Sequence, residues 1–173
     1  MTTIDAPRTT PTIHTLAQIF SEIERQVPGA PWVPLGNFQM DFFRNYSEHQ
    51  ASLLADPIQE QPHKPGPEAT EQERELYQWA VFCAASAEYL AHTYGLEVPT
   101  WANDPAYSCL DDAWYFAPMA YEVESVKERE IATTPVEFAR RNIFCGAKIH
   151  VDKHAEAQKF IERKRLKRLR KTA

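Results

Sequence analysis

Apolar residues recur along most of this chain at the three-to-four-residue spacing of an amphipathic helix. No stretch shows a convincing two-residue alternation, and Lys148 to Val151 is too short to found a sheet. The first stripe is Ile13, Leu16, Ala17, Phe20, Ile23 and Val27. Thr10 is placed to cap that helix, with Pro11 at its first position, and Pro28, Gly29, Pro31 and Pro34 stop it. Asn37 then opens a second helix carrying Phe38, Phe42, Tyr46, His49 and Leu53 on one face, ended by Asp56-Pro57. Ile58 to Glu68 is rich in Pro and Gln and reads as a loop.

The longest pattern runs from Thr70 to Tyr94. Thr70 and Glu73 have the spacing of a capping box, and Gly95 stands where a left-handed C-terminal residue is wanted. Leu76, Ala80, Cys83, Ala84, Ala87, Leu90 and Ala91 line one face, while Trp79, Phe82 and Tyr89 spread onto another. Two apolar faces with small residues between them predict a central helix against which the others pack. From Leu96 to Ile131 the pattern is irregular and aromatic, with at most short helices. Trp114, Tyr115 and Phe116 in succession cannot face the same way, so part of that surface is covered by another segment or open to a partner. Thr134-Pro135-Val136-Glu137 predicts a second capping box and a short helix to Asn142. Asp152 caps a final helix in which Ala155, Phe160 and Ile161 can touch the body.

The expected architecture is therefore all-α. A helical domain of about five helices spans residues 12–158, after a disordered leader at 1–11 and before a basic extension at 159–173. At 43% hydrophobic and 12% aromatic residues, the chain can fill a core. No window approaches the roughly 18 apolar residues of a membrane span. The polar N-terminus has no secretory pattern. Three widely spaced cysteines, Cys83, Cys109 and Cys145, suit reduced thiols, so a cytoplasmic setting is expected.

Charge changes the picture most. Residues 159–173 hold eight of the 19 Lys and Arg and one acid, Glu162, so the remainder carries 11 basic against 23 acidic residues. Segregation of this kind concerns partners rather than fold. The candidate binding residues are Arg163, Lys164, Arg165, Lys167, Arg168, Arg170 and Lys171. They can meet nucleic-acid phosphates or an acidic protein surface, or simply favour a helix C-terminus as solvated cations. No aromatic lies between Arg163 and Lys171 to stack on bases. Arg140 and Arg141 form a second cationic pair, explained by a helix end or by bidentate anion binding. Glu88, among alanines, is a candidate half-buried carboxylate that pairs with an arginine or faces solvent.

Chemistry-bearing motifs are scarce. Cys145, His150 and His154 lie within ten residues, but His150 precedes the helix and no Cys-x-x-Cys or His-Glu-x-x-His occurs, so no metal is expected. The alternative is a buried thiol beside separate surface histidines. Cys83 is mid-helix packing, and Cys109 neighbours Asp111 and Asp112. Five glycines against 13 prolines leave no phosphate-cradling loop, serine elbow or dinucleotide fingerprint, so neither cofactor nor catalytic residue is expected.

The segments Ala84-Ala85-Ser86-Ala87-Glu88-Tyr89-Leu90-Ala91, Gly95-Leu96, Pro99-Thr100-Trp101, Leu110, Trp114 and Thr134 to Phe144 together resemble small bacterial helical proteins over about residues 70–150. Some of those carry an added helix-turn-helix and are antitoxin-like, often beside nucleotidyltransferase-like toxins. No helix-turn-helix precedes residue 70 here. The resemblance implies a non-enzymatic module that binds and masks a partner protein. The alternative is a nucleic-acid-binding accessory protein or transcriptional regulator acting through the basic tail.

Overall fold

The computed structural model describes residues 12–116 and 122–171. The fold is all-α, with one two-residue strand pair among the described residues. Seven α-helices are present among the described residues: α1 (Leu16–Glu24), α2 (Trp32–Met40), α3 (Gln50–Ala55), α4 (Glu71–Tyr94), α5 (Glu124–Thr133), α6 (Val136–Ala139) and α7 (Lys153–Lys171).

The long helix α4 is the hub. Its capping box forms, with Thr70 Oγ1 accepting from the Glu73 amide at 3.2 Å and Glu73 accepting from the Thr70 amide at 2.7 Å. Gly95 ends it in the left-handed region, φ 65°. From Trp79 to Ala91 every residue but Tyr89 is buried. Expectation gave this helix two apolar faces; it is enclosed all round, by α1, α6 and the segment 100–107. Five alanines in that stretch let neighbours approach closely, which is how one helix can carry packing on every side.

The N-terminal helices differ from expectation at their ends. Thr10 and Pro11 lie outside the described residues, as does the leader 1–11. Residues 12–15 are not helical, and Thr15 caps α1 by accepting from the Gln18 amide at 3.1 Å. The chain is held extended there because Asp41 accepts from the His14 backbone amide at 2.8 Å. The second helix starts at Trp32, not Asn37. Pro31 is the residue before it and Pro34 falls in its first turn, where an amide has no intrahelical partner to lose. It also does not run on to Leu53. A π-turn over Asp41–Asn45 and a 3₁₀ turn over Ser47–His49 interrupt it before α3. The interruption keeps Phe38, Phe42 and Leu53 buried while leaving His49 outside.

The connector after α4 holds an aromatic cluster and a helix the pattern did not predict. Trp79, Phe82, Trp114 and Phe116 are in mutual ring contact, Trp79–Trp114 edge-to-face at 5.1 Å and Phe82–Phe116 stacked at 5.0 Å between centroids. Tyr115 points the other way, onto Phe144. Alternation of this kind is a strand property, and β1 (Trp114–Tyr115) pairs in parallel with β2 (Ile143–Phe144), Trp114 opposite Ile143. Helix α5 buries no residue, so it left no apolar stripe to read.

The expected capping box at Thr134 does not form. Pro135 is the residue before α6, with no side-chain cap. The Thr134 hydroxyl instead donates to the Glu130 carbonyl at 2.7 Å and accepts from the Cys145 and Gly146 amides at 3.1 and 2.9 Å. Glu137 reaches His92 rather than back to residue 134. Tertiary partners have taken both side chains of the sequence motif. Gly146 is required here: its φ is 68°, and an added Cβ would meet the Glu130 carboxylate. The Glu130 side chain can swing away, so backbone strain dominates. Gly146→Ala should therefore cost about 1–2 kcal/mol, read as a lower denaturation midpoint with unchanged slope in urea titration.

Candidate functional site

Helix α7 is the element least integrated with the rest. Asp152 caps it as expected, its Oδ1 accepting from the His154 and Ala155 amides at 3.0 and 3.1 Å. Around this first turn, Val151 to His154 line a groove together with Gly36, Gln39, Met40, Phe43 and Arg44. Beyond it the helix leaves the body, and every residue from Glu156 to Arg170 is exposed. Phe160 and Ile161, expected to touch the body, are instead 57% and 58% exposed. Leu166 and Leu169 are exposed as well. The helix is about 28 Å long at 1.5 Å per residue.

Arg163, Lys164, Arg165, Lys167, Arg168 and Arg170 thus stand together on a projecting rod, with Lys171 its last helical residue. Two pairs tie cations to the helix's own acids, Lys159 to Glu156 at 3.1 Å and Arg165 to Glu162 at 3.8 Å. Exposed pairs of this kind contribute little. Lys164 lies over the Phe160 ring, 4.6 Å from its centroid.

Arg141 is elsewhere and does other work. It is 2% exposed, so its place among the candidate binding residues is corrected: it is interior structure. Its Nη1 donates to Glu88 at 2.5 Å and to the Glu137 carbonyl at 2.8 Å. Nε donates to the Tyr107 carbonyl at 3.1 Å and Nη2 to the Ala102 carbonyl at 3.0 Å. One guanidinium thereby ties α4, α6 and the segment 100–107 together. Burial pulls its pKa down, and the Glu88 partner opposes that. Arg140, half-exposed, also bonds Glu88, and His92 bonds Glu137 at 2.8 Å. Glu88 is 5% exposed and does pair with arginine, as one of the two sequence readings had it. Asn142, with φ 65°, turns the chain after α6 into β2.

His150 departs furthest from what its sequence context implies. It was expected on the surface and is 5% exposed, ringed by Phe38, Phe82, Tyr89 and Phe138. Gln39 Nε2 donates to the Ile149 carbonyl at 3.0 Å and faces His150 Nδ1 at 3.3 Å. Nδ1 therefore accepts, and Nε2 carries the proton toward Ser86 Oγ at 2.8 Å. Burial lowers the imidazole pKa to about 3, so the ring is neutral. A polar serine in the alanine-rich face of α4 was the one signal that a polar partner sits opposite.

With both nitrogens engaged, His150 cannot join Cys145 and His154 in a metal site. No cluster of three His, Cys, Asp or Glu side chains suited to a metal occurs among the described residues. Burial raises the Cys83 and Cys145 thiols to about 12, which leaves them unreactive packing groups. No helix among the described residues is long and apolar enough to cross a membrane.

Fold and surface together define an all-α protein whose buried side-chain polar atoms all have partners among the described residues, and whose cationic last helix is exposed. Neither family models, nor curated proteins, nor solved structures provide a match to the chain.

Proposed function

We propose that this chain is a non-enzymatic interaction protein that binds and masks a partner protein through α7, in an antitoxin-like manner and in a cytoplasmic setting. One observation carries the reading: fifteen successive helical residues, Glu156 to Arg170, stand exposed with seven cations and four large apolar side chains among them. A single helix of this length is marginal in water without a packed face. A partner supplies that face. Cations would meet its acidic side chains, and Phe160, Ile161, Leu166 and Leu169 would meet its apolar ones.

The cation density favours a second reading, a nucleic-acid-binding accessory protein or transcriptional regulator. Phosphate binding would show as affinity for random DNA or RNA that falls steeply with salt. Binding to a protein partner with buried leucines would persist at salt levels that release nucleic acid.

Deleting Leu166 to Ala173 tests both. Helix α7 is exposed through Arg170, so the melting temperature should move by less than about 2 °C. Partner or nucleic-acid affinity should fall about tenfold or more. Equal binding by both forms across a salt titration would remove α7 from the function.

A further inference from the structure

We infer that the cleft between the end of α1 and the start of α4 is a docking site for α7 of a second copy of this chain. The cleft has an apolar floor of Ile23, Val27, Leu76 and Trp79. Glu24 and Glu75 stand on its rim, with Gln26 and Gln72 beside them. Both glutamates are exposed, and neither has a cationic partner among the described residues. Arg25 and Arg74, next to them in sequence, are not among the residues lining the cleft and donate to the Ser21 and Pro67 carbonyls. What the cleft offers is an apolar seat whose lining holds two carboxylates and no Lys or Arg.

Helix α7 offers the complement. Phe160, Arg163, Lys164 and Lys167 follow the i, i+3, i+4, i+7 spacing and so share one face. Phe160 is 57% exposed, and none of those three cations has a carboxylate partner among the described residues. An aromatic anchor flanked by cations matches an apolar seat flanked by acids in both shape of chemistry and sign of charge. Past its first turn every described residue of α7 through Arg170 is exposed rather than seated on its own body, so the seat it fills belongs to another molecule. The contact joins two different surfaces and is therefore heterologous. The inference rests on the reading of α7 as a docking arm and names a second copy as an occupant competing with the partner.

Sedimentation of the full chain from low to high micromolar concentration, at low and at high salt, tests this. The average mass should rise with concentration at low salt and fall back to the monomer at high salt. Phe160→Ala, and separately the pair Glu24→Lys with Glu75→Lys, should each weaken association about tenfold or more. All these positions are exposed, so the variants should stay folded, which circular dichroism checks. Mixing the two variants is decisive. The acid-reversed chain keeps an intact α7 and the Phe160→Ala chain keeps an intact cleft, so the mixture should regain one contact per pair and stop at a dimer. A chain that stays monomeric throughout, or association that neither variant weakens, would overturn the inference. Loss of partner binding on tail deletion in a protein that never self-associates would leave the proposed function standing without it. Self-association with partner binding indifferent to the tail would do the reverse.

Discussion

Arg141→Met should destabilise the fold by about 3–5 kcal/mol, the largest single-residue effect this structure implies. The change keeps a long flexible side chain in place, so lost volume is not the cause. Three carbonyls, those of Ala102, Tyr107 and Glu137, would lose their donor inside the protein. Glu88 would keep only Arg140, which is half-exposed. Removing one partner of a buried ion pair costs more than removing both, because the remaining charge stays desolvated. Glu88→Leu with Arg141→Met should therefore cost less than the sum of the two single changes. The double variant would still fall short of wild type, since the carbonyls remain unserved. Urea titration of the four proteins gives the cycle. Additive losses would mean that Glu88 and Arg141 act independently.

Acidification should unfold the protein earlier than its surface carboxylates alone would. His150 has a folded pKa of about 3, against 6.5 for the free imidazole. Between those values the unfolded chain binds a proton that the folded chain excludes. Stability is then fully present above pH 6.5 and is lost as pH falls from 6.5 toward 3. The slope is about 1.4 kcal/mol per pH unit, so roughly 3 kcal/mol is gone by pH 4.5. Asp41 acts in a lower window. Burial pushes its pKa up, but hydrogen bonds from the His14 amide, Asn45 and the His14 ring outweigh that and hold it below 3.8. Its contribution persists until the pH drops beneath that value. His150→Gln should lower stability by a roughly constant amount and flatten the profile between pH 6.5 and 4.5. Parallel profiles for variant and wild type would show that the ring is not excluded from protonation.

The sequence reveals those parts of the fold whose causes are local. Thr70, Glu73 and Gly95 delimit α4 because caps act within one turn, and the alanine spacing marks it as the hub. Asp152 likewise starts α7. What it hides are outcomes set across the chain. Thr134 and Glu137 have the spacing of a cap, yet Gly146 and His92, far along the chain, take their side chains. The prolines at 31 and 34 break one helix and begin the next, a choice that depends on what Trp32 and Phe38 can pack against. Helix α5 carries no apolar stripe at all. Of the candidate site, the α7 cations are visible as charge segregation because nothing folds over them. Arg141 looks like its neighbour Arg140 in sequence, and only the third dimension separates an interior tie from a half-exposed one. His150 is hidden for the same reason, since its partners Gln39 and Ser86 lie far away in sequence.

Amide hydrogen exchange, followed by mass spectrometry on the full chain at low concentration, tests the central claim most directly. In the free protein the amides of α4 from Trp79 to Ala91 should exchange only through global unfolding, while those of α7 from Glu156 to Arg170 exchange fast. On adding a captured partner, the α7 amides should slow and the α4 amides should stay as they were. A partner that binds while leaving α7 exchange unchanged, and protects some other surface, would contradict the account.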